Sequence, residues 1–77
     1  MARLPIVKGK DALRALLKAG FYVHHQTGSH ARLFHRDRSD LHITIPIHNK
    51  DLPERTLKYI LRQAQLDDKA FIRLLRE

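Results

Sequence analysis

Phe21-Tyr22-Val23-His24-His25-Gln26-Thr27-Gly28-Ser29-His30-Ala31-Arg32-Leu33-Phe34-His35 is the stretch on which the fold turns. Its first six residues are rich in aromatic and β-branched types, which suit a half-buried pleated surface, so Phe21–Gln26 reads as a strand. Thr27-Gly28-Ser29 then reverses the chain, and His30–Arg36 returns as a second strand with His30 at its first position. After a polar loop to Asp40, Leu41–Ile47 reads as a third strand. There Leu41, Ile43, Ile45 and Ile47 alternate with His42, Thr44, Pro46 and His48, the period of a sheet with one buried face. Pro46 removes a ladder donor and requires an edge strand or a strand end.

Helical patterns flank these strands. Lys10–Ala19 carries Leu13, Leu16 and Leu17 at i, i+3 and i+4, with Arg14 and Lys18 on the wet side, and Gly20 follows as its terminator. Asp51-Leu52-Pro53-Glu54 has the spacing of a capping box and opens a second helix with Leu57, Ile60, Leu61 and Ala64 on one face. Asp67 or Asp68 can start a last short helix that buries Phe71, Leu74 and Leu75. The economical solution is an α+β fold of order α-β-β-β-α, a small three-stranded antiparallel sheet with helices on one face. No repeats, linkers or low-complexity tracts interrupt it, and residues 1–77 read as a single domain.

Parity then says what the uncovered face carries. With Phe21, Val23, Ala31, Leu33, Leu41, Ile43 and Ile45 inward, the outer face holds Tyr22, His24, Gln26, His30, Arg32, Phe34, His42 and Thr44. A bulge at Gly28 would flip one strand of that list. Hydrogen-bonding groups, a cation and two aromatics suit a nucleic-acid strand, whose bases stack and whose phosphates pair.

Composition narrows the function classes. Fifteen Lys and Arg against eight Asp and Glu give a net charge of +7, a field that favours polyanions, RNA or DNA before an acidic protein. The absence of cysteine excludes disulfides and Cys-ligated zinc and fits a reducing cytoplasm. Met1-Ala2-Arg3-Leu4-Pro5 has no apolar run of signal-peptide type, and no stretch approaches the roughly 20 apolar residues of a membrane helix. A soluble cytoplasmic protein is expected.

At this point the residues resemble a known family. Gly28-Ser29-His30 is followed by His35 five residues on, then by an apolar strand ending Ile45-Pro46-Ile47-His48. Leu52-Pro53 and Thr56-Leu57-Lys58-Tyr59-Ile60-Leu61-Arg62-Gln63-Ala64 complete the set. This ordered series, spanning about Gly9 to Leu75, is similar to the HicA toxins of HicAB toxin–antitoxin systems. Two positions depart from the family pattern: Arg55 precedes Thr-Leu, and Gln65 stands between the last helices, where glycine is usual. The resemblance implies a fold like a double-stranded-RNA-binding domain, mRNA cleavage without a cofactor or metal, inhibition of translation, and neutralisation by a HicB-type antitoxin. It also implies that the catalytic histidine is His30.

The chemistry so implied makes definite demands. RNA carries its own nucleophile, the 2′-hydroxyl beside each phosphate. Cleavage needs a base for that proton, an acid for the leaving 5′-oxygen, and cations for the developing charge. Histidine titrates near neutrality and serves as either acid or base. Arg32 beside His30 is a candidate to clamp a phosphate, and Phe34 and Tyr22 are candidates to stack on bases or, equally, to pack against a partner protein. Lys10 is a further phosphate contact, with Lys8, Arg14 and Lys18 as companions. Gly28 and Ser29, which present His30, complete the RNA-binding candidates. His35, an odd number of residues from His30, faces away and reads as structural. His24, His42 and His48 read as surface residues.

Two other classes remain open. A basic RNA-binding module of the same shape would retain RNA without cutting it, since fold does not settle function. A zinc site built from His24, His30 and His42 is the third, weakened by the lack of a His-x-His or Glu-x-x-His pairing and of carboxylates on that face.

Overall fold

The computed structural model describes residues 3–77; Met1 and Ala2 of the N-terminal lead lie outside the described residues. The elements run α1 (Gly9–Lys18), β1 (Phe21–Thr27), β2 (His30–His35), β3 (His42–Pro46), α2 (Glu54–Ala64) and α3 (Asp68–Arg76). The strands form one antiparallel sheet in the order β1-β2-β3, which makes β2 the middle strand and β3 an edge. Pro46 ends that edge strand, where its missing N–H costs no ladder bond. The α+β architecture is the expected one, extended by a full helix α3.

Gly28 and Ser29 make the two-residue hairpin between β1 and β2. Gly28 alone has positive φ, +57°, the pattern of a type II′ turn, whose twist matches that of the flanking strands. The inner face of the sheet supplies Phe21, Ala31, Leu33, Ile43 and Ile45 to a core that also takes Ala12, Ala15 and Leu16 of α1, Leu57, Ile60, Leu61 and Ala64 of α2, and Phe71 of α3. No polar or charged residue is classed with the buried core among the described residues, so core burial is favourable apolar transfer; at its margin Gln63 Oε1 is enclosed without a hydrogen-bond partner.

Several local expectations are corrected. α1 buries Gly9, Ala12, Ala15 and Leu16, while Leu13 is half-buried and Leu17 is 44% exposed. The buried face is turned toward the small residues because the helix starts hard against β3. A Cβ built on Gly9 would fall on the carbonyl of Pro46. Val23 faces inward, paired with Leu33, yet is 40% exposed because β1 is an edge strand covered mainly at Phe21. The capping box at Asp51 does not form: α2 starts at Glu54 with Pro53 as its N-cap residue and no side-chain cap. Asp51 instead forms an antiparallel bridge with Lys8, and the Leu52 amide donates to the Val7 carbonyl at 2.8 Å. This ties the lead to the chain entering α2.

α3 is capped at both ends. Asp67 Oδ1 accepts from the Ala70 amide at 2.7 Å, and Lys18 Nζ donates to the Leu74 carbonyl at 3.2 Å, a cation near the negative end of the helix dipole. Leu74 and Leu75 are half-buried against the core. The loop before β3 is held by Arg38, whose Nε and Nη2 donate to the two carboxylate oxygens of Asp40 at 3.2 and 3.1 Å. That contact holds the Asp40 carboxyl below its ordinary range. The clasp therefore persists at neutral pH and is released only as acid protonates Asp40 through that lowered pKa.

Two substitutions test this account by urea unfolding. Gly9→Ala, which in an open helix would gain about 1 kcal/mol, should cost about 1–3 kcal/mol because the methyl meets the Pro46 carbonyl. Gln65 closes α2 with φ 56°, so Gln65→Gly should raise stability by about 1 kcal/mol.

Candidate active site

The middle strand fixes the open face. Ala31 and Leu33 have no exposed surface, so His30, Arg32 and Phe34 between and beside them must point the other way. On β3, the cross-strand partners of those three are Pro46, Thr44 and His42. On β1, Phe34 pairs with Tyr22, Arg32 with His25, and His30 with Thr27.

The β1 pairings contain a register shift between Val23 and His25. One extra residue, His24, is accommodated as a bulge, and strand parity changes across it. Tyr22 and His24 lie on the open face, and so do His25 and Thr27. Gln26, expected on this face, pairs with buried Ala31 and belongs to the opposite parity. The parity flip lies at His24, four residues before Gly28. His25 and Thr27 are thus groove residues that alternation alone did not place. The available signal was the His-His pair, of which a regular strand can show only one member to each face.

The open face has two parts. One is an aromatic platform: the His24 ring stacks on Phe34 with centroids 4.0 Å apart and planes 9° from parallel. Tyr22 meets Phe34 edge-on at 6.4 Å, and His42 lies tilted against it at 5.6 Å. The other is a shallow groove of about 180 Å³ lined by His25, Thr27, His30, Ala31, Arg32 and Thr44. Enclosed small-molecule sites occupy roughly 300–1,000 Å³, so this groove fits a group carried on a larger partner better than a free metabolite. Thr27 Oγ1 and His25 Nε2 share a hydrogen bond of 2.9 Å. His30 and Arg32 are exposed with no side-chain partner, which leaves an imidazole and a guanidinium free to engage a ligand.

The other candidates are placed around this centre. Gly28 and Ser29 form the turn next to His30, and the Ser29 carbonyl accepts from the Ile47 amide at 2.7 Å. Lys10 is exposed on the first turn of α1. It belongs to the helical layer and reaches the neighbourhood of the groove only through Gly9, which backs onto Pro46, the partner of His30. His24 and His42 flank Phe34 and do not gather with His30; no group of three potential metal ligands occurs among the described residues.

His35 has a different setting. The Asp37 amide donates to its Nδ1 at 3.0 Å, which puts the ring proton on Nε2, and Nε2 donates to the Ala19 carbonyl at 3.0 Å. Its ring meets Phe21 edge-on at 4.8 Å and lies over Gly20, where any Cβ would strike Nε2 at 2.7 Å. Gly20 has φ +105°. His35 therefore closes the α1–β1 corner, in keeping with its structural reading.

A three-stranded sheet backed by helices, with a histidine–arginine groove on its bare face, defines a small basic α+β protein whose candidate site lies on the sheet face. The family model described as "HicA toxin of bacterial toxin-antitoxin" matches residues 9–66. The chain belongs to that family, and so is the toxin of a toxin–antitoxin pair. Among curated proteins, none matches the chain. No helix among the described residues is long and apolar enough to cross a membrane.

The two settings of histidine predict opposite stability effects. His35→Ala should lose about 1–3 kcal/mol of unfolding free energy, since it removes two hydrogen bonds and an aromatic edge at a packed corner. His30→Ala should stay within about 0.5 kcal/mol of the parent, as expected for an exposed side chain without partners. Urea titrations of the two variants check both.

Proposed function

We propose that the chain is a single-domain endoribonuclease that cleaves mRNA on the open sheet face and thereby inhibits translation. The observation that carries this reading is the exposed His30 beside Arg32 in a groove on a chain of net charge +7. The field draws in the polyanion. Arg32 holds the scissile phosphate by paired N–H donors and offsets its growing charge. His30 transfers a proton as general acid or base. The Phe34 platform stacks a neighbouring base, and Gly28, Ser29 and Lys10 contact the backbone. Neither a metal nor a cofactor enters this scheme. Family membership supports the toxin role, and the 2′-hydroxyl of RNA supplies the nucleophile.

The partner in this reading is a HicB-type antitoxin that covers the His30 face. An acidic surface there would complement the toxin's charge and exclude RNA in one act. The setting is the cytoplasm, where mRNA and a cysteine-free chain meet without a redox constraint.

The test is cleavage of an end-labelled mRNA in EDTA. The wild-type chain should cut it, leaving 2′,3′-cyclic phosphate and 5′-hydroxyl ends, and folded His30→Ala should be slower by about 10²–10⁴-fold. Equal rates for the two would remove His30 from the chemistry. Retention of RNA by both without cleavage would leave a non-catalytic RNA-binding module.

A further inference from the structure

We propose that His25 is the second proton-transfer group of the groove, working with His30 across a phosphate held by Arg32. The inference rests on the ribonuclease reading and names a residue that reading lacks. Cleavage by the 2′-hydroxyl moves two protons: one leaves O2′ as it bonds to phosphorus, and one must reach O5′ as the P–O5′ bond breaks. One imidazole accepts the first proton and the other donates the second, so the protein's net proton count is unchanged over the step.

Three observations single out His25. The groove is lined by His25, Thr27, His30, Ala31, Arg32 and Thr44, and of these only the two histidines carry a side chain of the type that serves as both proton acceptor and proton donor. No carboxylate lines it. The bulge at His24 is what brings His25 there, opposite Arg32. A regular β1 would turn His25 to the other face. Finally, the 2.9 Å hydrogen bond to Thr27 Oγ1 fixes the ring orientation, and a fixed ring on a strand is better placed for proton transfer than a free one.

The layout suits the step. Thr27 is directly opposite His30 and Arg32 directly opposite His25, so the two histidines are diagonal neighbours, about 7–8 Å apart between backbones in a regular ladder. Arg32 stands directly across the ladder from His25 and two residues along β2 from His30, so a phosphate seated on Arg32 would lie next to both imidazoles. The charged and titratable groups facing His25 are Arg32 and His30 on β2 and His24 on its own strand; the β3 residue lining the groove, Thr44, is neutral.

The experiment measures single-turnover cleavage of a labelled RNA from pH 5 to 9 for wild type, His30→Ala, His25→Ala and His25→Gln, each checked for folding by circular dichroism. Cleavage by wild type and its loss in His30→Ala establish the ribonuclease reading independently of His25. Given that, His25→Ala and His25→Gln should both fall by about 10²–10⁴-fold. They should also convert a bell-shaped pH profile to one with a single limb. Glutamine keeps a hydrogen bond to Thr27 but cannot carry the proton, so a purely positioning role would leave His25→Gln active. An active His25→Gln, or a slowed His25→Ala that keeps both limbs of the profile, overturns the proposal. An inactive wild type would instead end the ribonuclease reading on which it stands.

Discussion

The complete burial of Ala31 and Leu33 in the middle strand is the constraint from which the rest of the molecule follows. A strand shows alternate residues to opposite faces, so sealing these two into the core commits His30, Arg32 and Phe34 to the other side. A one-residue slip would drive an arginine into the apolar core. That would leave a charge without a partner, at a cost of several kcal/mol, against a domain stability of only about 5–15 kcal/mol. The site is thus specified by the core behind it. With the helices on one side of the one sheet, the described residues leave the other face uncovered, and that is the face the proposed reaction uses.

Close packing sets how near the helical layer comes. α1 approaches through Gly9, Ala12 and Ala15 in place of a leucine ridge, and Gly9 touches the Pro46 carbonyl. Small residues permit this because each methylene omitted brings the helix axis nearer the strands. Pro46 is itself the partner of His30, so the helix start buttresses the strand end against which His30 sits. The bridge from Lys8 to Asp51 and the bond from the Leu52 amide to the Val7 carbonyl hold the same region from the other side. Backbone pairing takes the place of the expected side-chain cap on α2.

Most of this was legible in the sequence, and the exceptions share a physical reason. Alternation in Leu41–Ile47 and the Gly28 turn gave the sheet and the direction of His30, because hydrophobic period is a local property. The element order followed from the same periods and is the one observed, and the similarity to HicA toxins is borne out by the family match over residues 9–66. The bulge was not legible in position. Val23-His24-His25 contains no glycine to mark it, and it is accompanied by a cross-strand contact that no local pattern shows, His24 stacked on Phe34. The rotation of α1 was missed for the same reason, since a leucine stripe scores well in isolation while the close approach at Gly9 is set by β3. Gln65 is a case the sequence did flag. It stands where the family usually has glycine, and it holds the left-handed φ that glycine would take freely.

Six histidines in a chain of 77 residues show how neighbours, and not residue type, assign work. His35 has both ring nitrogens bonded to backbone and an aromatic edge against it, so it stabilises a corner and has nothing left to exchange. His48 accepts from the Lys50 amide in the loop that follows β3. His24 is stacked on Phe34 and His42 lies tilted against it. Of the histidines, only His25 and His30 line the groove, and Arg32 lines it with them. No carboxylate lines that groove, so a phosphate seated there would meet no repulsion, and the proposed proton transfer would have no other side chain to run through.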